Sequence, residues 1–182
     1  MPITFLFKKW YNQFVKGVSD LFKIGDTVVY GAQGICKIDR IETKQIGRQS
    51  QDYYVLKPIF NENTAVFVPV GNKALTAKML NVLTKTQIKQ LAEKVTDIAA
   101  FKASDENQKR ELYKSILSSG NREKLVALIK TIRLERETRR ESGKKLNIND
   151  EQTLRKAEML LYNELAFVCD VEPDEAKNLI NI

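Results

Sequence analysis

Residues Phe22–Thr43 read FKIGDTVVYGAQGICKIDRIET, and Asp52–Asn72 read DYYVLKPIFNENTAVFVPVGN. The alternation in these two runs sets the fold. Val28 and Tyr30 fall on one face and Thr27 and Val29 on the other, the period of a strand. Gly31 and Gly34 flank a turn. Ile35–Thr43 is a second strand, with Ile35, Lys37, Asp39 and Ile41 expected on one side and Cys36, Ile38, Arg40 and Glu42 on the other. Lys44–Gln51, which contains Gly47, reads as a hairpin turn. Asp52–Ile59 and Thr64–Val70 add two strands joined by the polar turn Asn61–Glu62–Asn63. Short strands at this spacing predict a small, strongly bent antiparallel sheet or barrel. Pro69 has no N–H for a ladder, which puts its strand at an edge. Lys78–Leu83 ends the module as a turn or short strand.

On either side the period changes to that of helices. In residues 1–21, Phe7, Trp10, Tyr11, Phe14, Val15, Val18 and Leu21 recur at helical spacing, with Lys8, Lys9, Lys16 and Asp20 between them. This predicts a short amphipathic helix, too interrupted for a membrane span and without a secretory cleavage pattern. Two readings stand for it. It docks on the chain's own β-module or on a second copy, or it lies on a membrane surface or a partner protein. After Asn72, Thr86–Ala99 reads as a helix capped by Thr84 or Thr86. Ala103–Gln108 is a polar break, and Lys109–Ser118 is a second short helix. A third runs to about Arg140, with Leu125, Leu128, Ile129 and Ile132 as its core face. Its last turns, RLERETRRES, lose the stripe and project into solvent. Asp150 is expected to cap a fourth helix carrying Leu154, Ala157, Leu161, Leu165 and Val168. Pro173 opens a last short one.

Composition bounds the chemistry. The chain has 182 residues, 43% hydrophobic and 29% charged, which is ordinary for a globular protein of one or two small domains. It contains no histidine, which removes the commonest general base and metal ligand. No nucleophile elbow, phosphate-binding glycine loop or zinc motif is present. The expectation is a protein that is not an enzyme and uses no cofactor and no metal. Cys36 and Cys169 stand far apart in apolar surroundings and read as reduced thiols. Net charge is +7, unevenly placed. Residues 85–145 hold 16 Lys/Arg against 9 Asp/Glu, whereas 146–182 hold 3 against 8. A basic middle of this kind suits a polyanion partner, and equally an ordinary solvated helical surface.

The wording of the β-module adds a resemblance. KIGDTVVY, the following glycines, IET, YYVLK and VPV resemble the RNA-polymerase-interacting domain of the CarD/CdnL family, a module shared with the transcription-repair coupling factor. In the C-terminal part, SSGNREKLVALIKTIRLERE, GKKLN and the closing NELAFV are similar to the family's basic helix, loop and final helix. The resemblance implies an α+β fold: a Tudor/SH3-like antiparallel β-barrel over residues 22–83, then a basic helical bundle over 84–182. Residues 1–21 are left as a helical extension. It implies that the β-module binds the β subunit of bacterial RNA polymerase through Lys44, Val55, Phe67 and Pro69. Lys44, placed on a turn, stands where the family often has a basic residue, though lysine lacks the bidentate fork of arginine.

The resemblance also implies promoter contact by the helices. Many family members carry a tryptophan just before a basic pair, and its indole wedges into the edge of the melted DNA. Here the only tryptophan is Trp10. The matching stretch, AAFKASDENQKREL, offers Phe101 as its nearest aromatic and Lys109 and Arg110 as the pair. Phosphate contact through Lys109, Arg110, Lys114, Arg139, Arg140, Lys144 and Lys145 would carry little base specificity. The expectation is a cytoplasmic transcription regulator that joins polymerase to promoter DNA and takes no small-molecule substrate. The rivals are a polymerase-binding protein without DNA function and a membrane-associated adaptor anchored by residues 1–21.

Overall fold

The computed structural model describes residues 22–47, 49–61, 64–101 and 105–182. The expected N-terminal helix and the tip of the Asn61–Asn63 turn lie outside the described residues. Five strands form one antiparallel sheet: β1 Thr27–Tyr30, β2 Ile35–Ile46, β3 Gln49–Pro58, β4 Val66–Pro69 and β5 Met79–Asn81. Their order is β4-β3-β2-β1-β5. A short helix, α1 (Lys73–Thr76), leads into β5. Five more helices follow: α2 Lys85–Lys94, α3 Glu106–Ser119, α4 Arg122–Glu141, α5 Ile148–Cys169 and α6 Pro173–Ala176. The protein is α+β, as the alternation followed by helical periodicity implies. Pro69 sits on the edge strand β4, where its missing N–H costs no ladder bond.

Several boundaries differ from expectation for identifiable reasons. β2 does not turn at Lys44. It continues to Ile46, and Lys44 pairs with Gln51 inside the ladder. The faces of β2 also change phase, because the pairing steps from Ile38↔Leu56 to Arg40↔Val55. Asp39 is the extra residue of a β-bulge. Cys36, Ile38 and Ile41 therefore all join the inner cluster with Val28, Tyr54, Leu56 and Val68, whereas strict alternation separates Ile41 from the other two. Among the helices, Thr84 rather than Thr86 caps α2, in a reciprocal capping box with Gln87. Asp105 caps α3, so the polar break ends before Glu106. Asn147 caps α5, which leaves Asp150 one turn inside it and buried. Leu134 is 62% exposed, as expected of the distal turns of α4.

The helices enclose a second apolar cluster built on Ile116, Leu128, Ile129, Leu154, Leu161 and Leu165. Sheet and helices meet at close range. Gly31 has φ +46, and a Cβ there would lie 2.9 Å from the Ser118 carbonyl oxygen at the end of α3. Only glycine meets both demands. The join is completed by Glu164, 2% exposed in the middle of α5. Its Oε1 accepts from the Leu83 backbone N–H at 2.8 Å and from Arg122 Nη2 at 2.7 Å, and its Oε2 accepts from Arg122 Nε at 2.9 Å. Arg122 Nη2 also donates to the Asn81 carbonyl of β5 at 2.8 Å. One carboxylate thus ties the last strand, the start of α4 and the middle of α5.

Removing that carboxylate strands a nearly buried guanidinium and a backbone N–H. Glu164→Ala is expected to cost about 3–5 kcal/mol of stability. Glu164→Gln should recover only part, since it accepts from Leu83 but leaves Arg122 uncompensated. Urea unfolding of the three proteins checks this.

Candidate functional site

The sheet has two faces, and the outward one gathers the residues expected to meet a protein partner. The register places Arg40, Glu42 and Lys44 of β2 beside Val55, Tyr53 and Gln51 of β3. Val55 and Tyr53 in turn pair with Phe67 and Pro69 of β4. Because side chains alternate, these positions share one face. The Lys44 ammonium lies 3.3 Å from the centroid of the Phe67 ring, a cation–π contact. Tyr53 meets Phe67 edge-on at 6.5 Å between centroids and donates its hydroxyl hydrogen to Gln51 Oε1 at 3.0 Å. Phe67 is 38% exposed, whereas Val55 is fully buried. Val55 therefore forms the floor beneath this patch, and Lys44, Phe67 and Pro69 form its surface. Beside it Arg40 bridges Asp39 and Glu42, each at 2.7 Å. Lys57 and then Arg40 hold the Asp39 carboxyl below the usual carboxylate range.

Tyr53 and Arg40 belong to this patch and are not among the residues expected from sequence. Only the register of β4 against β3, and the bulge in β2, bring them beside Phe67.

The residues expected to meet DNA separate into four groups. Arg140, Lys144 and Lys145 converge with Arg136 and Arg155 around an open cleft of about 500 Å³ between the end of α4 and the start of α5. Arg136 and Arg155 are additions that the sequence reading lacked, although Arg136 stands one helical turn from Arg140. Arg110 and Lys114 are exposed on α3 and line no part of that cleft. Arg139 is held by Glu135 at 2.9 Å, and Arg140 of the cleft is paired with Glu137 at 2.8 Å.

Lys109 is a correction. It is 7% exposed, and its ammonium donates to Glu135 Oε2 and Asp150 Oδ2, both at 2.7 Å. It ties α3, α4 and α5 together from inside and offers no charge to a phosphate. Burial alone would depress its pKa. The bonds to Asp150 and then Glu135 overcome burial and hold Lys109 above the ordinary lysine range. Phe101, the aromatic nearest the family's wedge position, packs against the helical cluster. Its N–H donates to Thr131 Oγ1 at 2.7 Å.

Other chemistry on the chain is quiet. The Cys36 thiol is buried, and burial pushes its pKa up to about 12, far from thiolate reactivity. Among the described residues no group of three or more acidic or cysteine side chains could hold a metal ion. Nor is any helix among them long and apolar enough to cross a membrane.

Comparison with known families gives two matches. The model of the CarD-like/TRCF RID domain matches residues 22–80, and that of the CarD C-terminal domain matches residues 89–181. The first covers the sheet as far as Leu80, a Tudor-like module. The second covers nearly all of the helices.

The internal ion cluster sets an acid dependence. Burial acts to raise the Glu135 carboxyl. The Lys109 ammonium and the Arg139 guanidinium outweigh it and hold the pKa below the ordinary range. A lowered carboxylate contributes its stability above the unfolded pKa, about 4.3 for glutamate, and loses it as pH falls toward the folded value. The stability gap between the parent chain and Glu135→Gln should be full at neutral pH and narrow in acid. Urea titrations at a series of pH values read this directly.

Proposed function

The chain belongs to the CarD family, which makes it a transcription regulator that interacts with RNA polymerase, and from that premise we propose how it does so. The open edge of β4 and the Lys44–Phe67–Pro69 face dock on the polymerase β subunit. The observation that carries this reading is the gathering of those three residues, from two non-adjacent strands, onto one face of the sheet beside its edge strand β4. An edge strand supplies unpaired main-chain groups, and the side chains around it set specificity. Phe67 supplies apolar area. The Lys44 ammonium sits over its ring, which holds a positive charge beside the apolar area.

The basic cleft at the end of α4 lies on promoter DNA. Arg136, Arg140, Lys144, Lys145 and Arg155 converge there, and the exposed Arg110 and Lys114 extend the basic surface along α3. Contacts of this kind neutralise phosphates and read little sequence. Residues 22–83 and 84–182 then act as polymerase-binding and DNA-contacting parts of one regulator working in the cytoplasm. Holding both partners shifts the balance between closed and open promoter without catalysis. Phe101 packs inward, so the interaction works through the phosphate backbone rather than through an aromatic wedge.

The polymerase half is tested by pull-down of the β subunit with Lys44→Glu and Phe67→Ala together. Truncating an aromatic anchor of an interface typically costs about 2 kcal/mol or more, so retention should fall by more than tenfold. Unchanged retention places the contact elsewhere. The DNA half is tested separately by salt titration. Replacing Arg140, Lys144 and Lys145 with alanine should flatten the slope of log affinity against log salt by about 0.9 for each phosphate that is no longer neutralised. An unchanged slope would leave a polymerase-binding protein without DNA function.

A further inference from the structure

The cleft between the end of α4 and the start of α5 is not lined by charge alone. Leu146 and Ile148 also face it. Leu146 packs against the helical cluster. Ile148 does not: at 75% it is the most exposed large apolar side chain among the described residues. A lone exposed apolar residue is ordinary on a protein surface. This one stands inside an open cleft of about 500 Å³, among five cationic side chains and one carboxylate, Glu151. That carboxylate lies 3.8 Å from Arg155. The position of Ile148 is fixed. Asn147 caps α5 by accepting from the Asp150 N–H at 2.8 Å, which makes Ile148 the first residue of the helix. Across the cleft, the Lys144 N–H donates to the Arg139 carbonyl at 2.8 Å and the Gly143 N–H to the Arg140 carbonyl at 3.0 Å. The loop bearing Lys144 and Lys145 is thus tied to the end of α4, and cations and apolar side chain are held before any ligand arrives.

We propose that Ile148 packs against the sugars of a DNA strand whose phosphates are held by the cations around it. This contact rests on the assignment of the cleft to DNA and supplies what charge cannot. The cleft makes two demands of a ligand. Its five cations call for an anion, and Ile148 calls for an apolar surface set between the negative charges. An inorganic anion meets only the first demand, and an apolar peptide only the second. A DNA strand meets both in alternation. Each deoxyribose stands between two phosphates, and it carries a methylene where ribose carries a hydroxyl. The two kinds of contact differ in their physics. Neutralising phosphates releases counterions, so that part of the affinity falls with salt. Burying Ile148 against a sugar takes apolar surface out of water, and salt does not screen it. The cations therefore set the slope of log affinity against log salt, and Ile148 sets its height. Every nucleotide has the same sugar, so the contact reads no base sequence.

Titration of the full chain with a short labelled DNA duplex, repeated over a series of salt concentrations, tests this. Ile148→Ser should weaken binding about tenfold at every salt concentration, with the slope of the parent chain preserved. Ile148→Leu keeps the apolar area and should bind as the parent does. The side chain is three-quarters exposed, so the urea midpoint should be the same in all three proteins. A parent chain whose DNA affinity does not respond to salt overturns the assignment of the cleft, and the sugar contact with it. A salt-sensitive parent with unchanged affinity in Ile148→Ser overturns the sugar contact alone. A flattened slope in Ile148→Ser would mean that the side chain merely positions the cations. Self-association of the parent that Ile148→Ser abolishes in sedimentation would assign the side chain to a second copy. Either of these two results also overturns the proposal.

Discussion

A buried carboxylate carries the architecture. Placing Glu164 inside the protein costs several kcal/mol of lost hydration, and the expense is tolerable only if every lone pair finds a donor. Its donors are the Leu83 N–H after β5 and the Arg122 guanidinium at the start of α4, and that guanidinium donates in turn to the Asn81 carbonyl of β5. Together these bonds hold the end of the sheet against the start of α4 and against α5. The tight approach of Gly31 to α3 enforces the same placement sterically. Electrostatics and packing agree on one arrangement, which is what gives a fold a single well-defined minimum.

Lys109 shows the same principle within the helical part and explains how a basic surface is sorted. Two cationic residues adjacent in sequence, Lys109 and Arg110, have opposite fates. The first turns inward to two carboxylates and becomes a structural tie, and the second stays in solvent. Helical phase decides between them, since neighbouring residues point about 100° apart. Part of the basic charge left outside, from Arg136, Arg140, Lys144, Lys145 and Arg155, collects around the cleft where α4 ends and α5 begins.

Much of this was legible in the chain. Alternation in Thr27–Tyr30 and Asp52–Ile59 located strands, the apolar stripe of Leu125–Ile132 located the core face of a helix, and Pro69 marked an edge. These signals are local, and the residues that carry them need no knowledge of distant partners. The features that escaped depend on pairing. Lys109 finds its partners 26 and 41 residues away, so nothing nearby distinguishes it from a solvated lysine. Arg155 lies in an acidic segment and enters the basic cleft only because α5 folds back beside α4. Lys44 looked like a turn residue because Gly47 could end the strand at several points, and the longer ladder won by pairing Lys44 with Gln51. The surface formed by Lys44, Phe67 and Pro69 came from a family resemblance. Strand register is what put the three together.

The bulge at Asp39 gives β2 something like a reading frame. From Cys36 to Ile38 and again from Arg40, the pairing assigns alternate residues to alternate faces, and Asp39 is the position outside the count. Losing it would leave every other side chain of the strand on its present face. Losing a second residue from the stretch would carry Arg40, Glu42 and Lys44 to the inside and Ile41 to the outside. The chemistry of the outer surface is thus written partly in the number of residues, not only in their kinds. A chain one residue shorter through this stretch can keep the same two faces simply by losing the bulge.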